Sequence, residues 1–218
     1  MLNWLSSHRT PSPSISLHKS RVVVFDLETT GLNLRKDKPI AVGAVAIENS
    51  ALPLADQFQA HIQQHVESSA QAALAHRLAR DEIGRAAPPA EVWPGFLEYL
   101  ADAPRFAYHA AFDDGFMQRS LKSSGISRRW AASIDVAQWV LWLHPELGPA
   151  PPTLDRALAF ARIRRSGRQR HDALVDASLT AQLILTLLPA TRARGIYSLH
   201  ELRQAIRSSA RLRQMRTQ

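Results

Sequence analysis

The sequence predicts one α/β domain on a mixed sheet, spanning roughly residues 21–189. Three observations predict it. Short β-branched runs come first, helical periodicities interleave after them, and a length of 218 residues suits one domain with extensions. A hydrophobic share of 45% supplies an ordinary core and is too high for a disordered chain.

The elements follow in order. Residues 1–20 are Ser-rich and carry Pro11 and Pro13, the composition of a mobile arm. Residues 22–25, Val-Val-Val-Phe, read as a buried strand. Residues 40–47 form a second strand and 58–62 a weaker third, with the polar stretch 35–39 joining the first two. Residues 70–80 are Ala-rich, with Leu74 and Leu78 one turn apart, and predict a helix. Residues 91–100 repeat Val92, Phe96, Leu97 and Leu100 at helical spacing, with Trp93 before Pro94 placed to cap the helix. Residues 105–108 are a brief strand, and 114–122 a helix that Gly125 ends. Trp139, Leu141 and Trp142 share a short helix, its tryptophans turned toward the sheet. Thr153 is an N-cap for a segment ending near Arg162. Residues 172–188 make a long apolar helix that Pro189 stops. A basic amphipathic helix over about 199–215 closes the chain, so that 190–218 reads as a C-terminal extension.

Composition removes several chemistries. There is no cysteine, which excludes disulfides, thiolate zinc sites and cysteine nucleophiles. Any metal must then be held by carboxylate or imidazole. The 27 Lys and Arg outnumber 19 Asp and Glu, and the net charge of +8 suits a polyanionic partner. No uninterrupted apolar run approaches the ~18 residues of a membrane span. Residues 1–20 lack the basic and apolar regions of a signal peptide, so a cytoplasmic protein without a membrane partner is expected.

Three clusters carry chemistry. The first strand runs into Asp26-Leu27-Glu28, and strand alternation sends both acids to one side. Two carboxylates ~4 Å apart repel by about 4 kcal/mol at a surface-like dielectric. They need a cation, a shared proton or full solvation at the strand end. Thr29-Thr30-Gly31 adds two hydroxyls and a flexible turn whose N–H groups can approach a phosphate. The second cluster is residues 108–117, Tyr-His-Ala-Ala-Phe-Asp-Asp-Gly-Phe-Met. Either Asp113 or Asp114 suits the helix N-terminus there. The third is His171-Asp172-Ala173-Leu174-Val175-Asp176. Asp176 is then either on the solvated side of an apolar helix or buried with a partner or metal.

The ordered combination resembles the DEDDh-type, DnaQ-like 3′–5′ exonucleases, and within them the epsilon proofreading subunits of bacterial DNA polymerase III. The resemblance runs from about residue 21 to 189. It implies a ribonuclease H-like fold, a five-stranded mixed sheet flanked by helices. It implies that Asp26, Glu28, Asp113 and Asp176 are catalytic acids holding two divalent cations, Mg²⁺ or Mn²⁺, with His171 as general base. Asp113 is preferred to Asp114 because the family acid directly follows its Phe. Hard cations suit such oxygen ligands, and a pair of them can activate water and stabilise the leaving oxygen. The implied activity is metal-dependent hydrolysis at the 3′ end of a single strand, DNA before RNA, releasing nucleoside 5′-monophosphates. Leu27, Thr29, Gly31, Leu32, His76, His109 and Phe112 match, or stand near, positions that contact the terminal nucleotide. Two departures stand out: Tyr108-His109 replaces the common His-Asn, and His76-Arg77-Leu78 lacks the usual glycine. An RNA-trimming enzyme and a catalytically silent nucleic-acid-binding or polymerase-docking module are the alternatives. The segment after Pro189 offers no counterpart of the epsilon subunit's polymerase-attachment extension, which favours a stand-alone or accessory nuclease.

Two basic segments remain. Five arginines fall between Arg162 and Arg170, as a solvated loop or a phosphate-binding rim. Arg203, Arg207 and Arg211 recur every four residues, as a solvated face or a grip on a longer strand.

Overall fold

The computed structural model describes residues 15–64, 80–164 and 172–216. A five-stranded sheet is built from β1 (Val22–Thr29), β2 (Pro39–Ile47), β3 (Gln57–His61), β4 (Arg105–Ala107) and β5 (Ile134–Asp135). Its order is β3-β2-β1-β4-β5, with β1, β2 and β3 antiparallel and β4 and β5 running parallel to β1. The helices described are α1 (Arg80–Arg85), α2 (Pro89–Leu100), α3 (Ala111–Ser123), α4 (Val136–Leu143), α5 (Leu154–Phe160), α6 (Ala173–Ala193) and α7 (Leu199–Arg216). This is the α/β, ribonuclease H-like arrangement that the order of motifs implied.

Strand alternation divides the core in two. Val22, Val24, Val45 and Ile47 face a cluster with α4, α6 and α7. Val23, Phe25, Leu27, Val42 and Ala44 face a second cluster with α2 and α3. Asp26 and Glu28, alternating with Phe25 and Leu27, therefore lie on the α6 side. The parallel pairs need crossovers, which α2 and α3 supply.

Several expectations are corrected. Trp93 does not cap α2; it is fully buried within it, and its Nε1 donates to Ser120 Oγ at 2.8 Å. Pro189 does not stop the long helix. α6 runs on to Ala193, because Leu187, Leu188 and Thr191 are buried and Trp139 Nε1 donates to Thr191 Oγ1 at 2.9 Å. That tertiary anchor outweighs the one N–H the proline removes. Trp139 packs against Phe106 of the sheet at 6.0 Å, and Trp142 is partly buried against the same core cluster, with the Arg194 guanidinium over its ring at 4.9 Å. The described end of the expected mobile arm is docked. Leu17 is buried, its N–H donates to Tyr197 O at 3.0 Å, and Leu199 N–H donates to Ile15 O at 3.1 Å. α7 in turn buries Leu199, Leu202 and Ile206 in the first core cluster. The short β5 escaped notice because two residues carry no periodicity. The helix expected over 70–80 lies outside the described residues except for its last residue.

α6 is long and apolar enough to cross a membrane by length and composition alone. Here it is the central core helix, packed against β1 and β2.

Candidate active site

The site forms where β1 ends. β1 pairs with β2 in register as far as Glu28 opposite Ala41, then slips, so that Thr29 faces Pro39. Such an irregularity bends a strand and re-aims its side chains. Asp26 sits opposite Gly43 of β2. A Cβ at Gly43 would collide with the backbone of Ala173 and Leu174, the first turn of α6. Only glycine lets the helix end press onto the sheet there. The consequence is that Asp176, in the first turn of α6, reaches the two strand acids.

Carboxylate oxygens of Asp26, Glu28 and Asp176 lie within 4.8 Å of one another. Two ligands on opposite sides of one Mg²⁺, each at about 2.1 Å, are about 4.2 Å apart. Three ligands on one octahedral ion lie about 3.0–4.2 Å from one another, so an all-oxygen set gathered within 4.8 Å suits a hard cation. At the outer limit of 4.8 Å two full charges already repel by about 3–4 kcal/mol at an effective dielectric near 20. Burial pushes Asp26 well above the usual carboxylate range, and the charges of Asp113, Glu28, Asp176 and Asp172 push it further. Glu28 is pushed up to about 8 by burial, then by Asp176 and Asp172.

Asp113 arrives from α3. It is 2% exposed, and its Oδ1 accepts from Leu27 N at 3.1 Å. Burial raises its pKa, as does neighbouring Asp114, while the Leu27 N–H bond opposes them. The adjacent Asp114 points elsewhere. It accepts from Trp130 Nε1 (2.6 Å), Ser133 N (2.9 Å) and Ser133 Oγ (2.6 Å). The two acids diverge: Asp113 turns to the backbone of β1 beside the strand acids, Asp114 to the loop before β5.

Asp172 was not singled out by the sequence reading. Its Oδ1 accepts from Leu174 N at 2.9 Å and Val175 N at 3.1 Å, capping α6 while adding negative field to the site. Gly43 was missed as well. An isolated glycine inside an otherwise apolar strand was the available signal.

The remaining site residues divide. Leu27 buries its side chain in the core with α2 and α3, and its N–H donates to Asp113 Oδ1. Thr29 is buried, its hydroxyl donating to Gly31 O at 2.7 Å. Gly31 is needed because a Cβ would come within 2.6 Å of Asp37 Oδ2. Leu32 is 84% exposed at the tip of the loop. His109 is exposed, at a positive φ of 56°, edge-on to Tyr108. Phe112 is half-buried, edge-on to Phe116 at 4.8 Å. His76 and His171 lie outside the described residues.

Residues 23–184 match the exonuclease family model RNase_T, and the chain belongs to that family. Among its relatives, the PolC-type DNA polymerase III of Clostridium perfringens is 26% identical over 162 residues, 74% of this chain and 11% of the polymerase. That of Caldanaerobacter subterraneus subsp. tengcongensis is 28% identical over 184 residues, 84% of this chain and 13% of the polymerase. The chain thus spans about an eighth of these relatives or less. Solved structures share the fold. The nuclease domain of 3′hExo, a DEDDh family member bound to rAMP, has a TM-score of 0.67 at 15% identity over 80% of this chain and 94% of that one. Escherichia coli Exonuclease I with a dT13 oligonucleotide has a TM-score of 0.66 at 16% identity, over 80% and 42%.

Proposed function

We propose that the domain removes nucleotides from the 3′ end of single-stranded DNA, hydrolysing phosphodiesters to nucleoside 5′-monophosphates. The observation that carries this reading is the half-buried carboxylate set at the end of β1. The neighbouring charges that raise Asp26 and Glu28 are all carboxylates. Such a cluster is stable as a set of anions only with cations bound.

Asp26, Glu28, Asp113 and Asp176 would hold two divalent cations, Mg²⁺ or Mn²⁺. Those ions supply Lewis acidity toward a water and toward the departing oxygen. The chain's own residues do the rest. Leu27 N–H fixes the Asp113 carboxylate, Asp172 fixes the start of α6, and Gly43 sets the depth at which Asp176 enters. His171, next to that cap, takes the proton from the attacking water, its ordinary pKa being near neutrality. Leu32, His109 and Phe112 are the side chains open to a terminal nucleotide. Exonuclease I bound to dT13 supports a single DNA strand as substrate. The rAMP held by 3′hExo favours RNA as the second reading. The polymerase relatives suggest work beside a polymerase, and we place the domain as an accessory or stand-alone nuclease.

The test is 5′-labelled DNA and RNA of equal sequence, incubated with Mg²⁺, Mn²⁺ or EDTA. A metal-dependent ladder shortening from the 3′ end, absent in Asp26→Asn, is expected, with DNA consumed faster. Intact strands in every buffer, with binding still measurable, would establish a silent binding module instead.

A further inference from the structure

Behind the loop that follows β1 lies a cavity of about 460 Å³ that the catalytic reading does not use. It is bounded by the connection from β1 to β2, the second half of α3 and the start of α2. Arg35, Lys36, Lys38 and Arg119 line it, and all four are exposed. Asp37 is the one acid on its wall, and its carboxylate is occupied. Oδ1 accepts from Thr30 Oγ1 at 3.0 Å, and Oδ2 from Asn33 N at 2.7 Å. Among the described residues none of the four cations forms an ion pair. Arg119 donates one N–H to Arg35 O at 3.0 Å, which ties α3 to the loop. The loop itself is rigidly held, since Lys38 N donates to Thr30 Oγ1 at 3.1 Å and Leu34 packs against Gly115.

The place of this basin matters. Thr30, which Lys38 touches, stands two residues beyond Glu28, a step of about 7 Å. The Lys38 edge of the basin thus adjoins the loop that leaves the acid-bearing strand, the loop that also carries exposed Leu32. Four cations with no ion pair among the described residues, around a concave wall with serines beneath, suit a row of phosphates rather than a single neutral ligand.

We propose that this basin holds backbone phosphates of the substrate strand several nucleotides upstream of the 3′ end, giving the domain a preference for longer strands. The proposal rests on the nuclease reading for the identity of the strand. Specificity for a base is not expected, because flexible lysines and arginines read charge.

Its test compares the wild-type protein with R35S/K36S/K38S, which removes three exposed side chains and keeps the backbone N–H of Lys38. Binding of fluorescein-labelled dT16 is followed by anisotropy in EDTA across a salt series. The dissociation constant should rise at least tenfold, and the log–log salt slope should fall by about 2, at roughly 0.7 for each phosphate no longer neutralised. The single reversal K36E should give a smaller loss in the same direction. With metal present, the ratio of kcat/KM for dT16 over dT2 should fall at least fivefold. An unchanged constant and slope, or an equal loss on dT16 and dT2, would overturn the basin. If no oligonucleotide is cleaved by the wild type yet the variant loses dT16 binding, the basin stands and the nuclease reading fails. If the wild type cleaves and the variant binds dT16 as well as it does, the nuclease reading stands and the basin is left to another acidic partner, such as a protein.

Discussion

At the C-terminal end of β1, Asp26, Glu28, Asp113 and Asp176 crowd together. At the other end of the sheet, Arg105, Arg128 and Arg203 converge on the segment before β5. Arg105 faces Val23 in the ladder, about 10 Å of strand before Asp26, and the consecutive Asp113 and Asp114 join the two clusters. Both gather like charges in partly buried surroundings, and burial shifts both, pulling Arg105 down to about 10 and pushing Glu28 up to about 8. They differ in what the protein provides. The arginines are given acceptors and a counter-charge. Arg105 donates to Ala131 O at 2.9 Å and stacks over Trp130, Arg203 donates to Ala132 O at 3.1 Å, and Arg128 donates to Ala101 O at 3.0 Å. Asp114 offsets the field on Arg105 and Arg203. Of the acids, Asp113 accepts from the Leu27 N–H, and Asp172 from the N–H groups of Leu174 and Val175. The arginine cluster is met in part from within, Arg105 Nε being buried without a hydrogen-bond partner among the described residues, while the acid cluster keeps like charges side by side. The Arg203 stripe, open from sequence between a solvated face, a grip on a longer strand and a dock for a partner, belongs in part to the arginine cluster.

The comparison can be broken most decisively at Asp26. Asp26→Asn should lower hydrolysis by at least about a thousandfold, since a metal-binding charge is lost. The same change should raise the melting temperature in EDTA, because a repelled, buried carboxylate has gone. A lower melting temperature would mean that the acids are satisfied internally after all.

Gly43→Ala comes next. Its methyl group must displace the start of α6, and such overpacking costs about 1–3 kcal/mol or more. A shift of Asp176 by about 1 Å should cost about a hundredfold in kcat. Thermal melts and steady-state kinetics check both. Full activity would show that the approach of α6 does not set the site.

The pH dependence without metal should follow Glu28. Its carboxyl titrates near 4.5 when unfolded and at about 8 in the fold. The folded state therefore favours the protonated form. That contribution is complete below pH 4.5 and disappears as pH rises through 8. In EDTA the melting temperature should fall between about pH 5.5 and 8.5, less so in Glu28→Gln. Added Mg²⁺ or Mn²⁺ should restore more stability at the alkaline end. A melting temperature that climbs across this window would contradict the shift.

At the opposite cluster, Asp114→Ala should lose about 2–3 kcal/mol by denaturant melts, as Trp130 and Ser133 lose their acceptor. Most of the activity should survive, in contrast to Asp113→Ala. The smallest effect is expected at Arg203→Gln, within about 1 kcal/mol, because a lost bond to Ala132 O is offset by relief from Arg207. A loss above about 2 kcal/mol would mean that the arginine cluster is more finely compensated than the acidic one.

Much of this was open to inspection in the chain alone. Alternation places Asp26 and Glu28 on one face of β1 whatever surrounds them, because side chains alternate faces along a strand. The order of β-branched runs and helical repeats determines the α/β class, and Thr153 caps α5 as its residue type predicts, accepting from Arg156 N at 3.4 Å. The absence of cysteine confines any metal to oxygen and nitrogen ligands. The family resemblance attached roles to Asp113 and Asp176, and geometry then brought Asp176 to the strand acids. Other features rest on packing between residues far apart in sequence. Pro189 is a local stop signal, and only Trp139 reaching Thr191 overrules it. Leu27 stands inside the acid motif, yet burial assigns its side chain to the core and leaves its N–H to Asp113. Gly43 looks like a weak point in a strand until α6 is laid across it. Local periodicity depends on neighbours along the chain, so the sequence by itself determined the class, the strand face and the acid types. The depth of the acid cluster, the separate directions of Asp113 and Asp114, and the basin behind the loop depend on helices packed from elsewhere, and only the tertiary structure decided them.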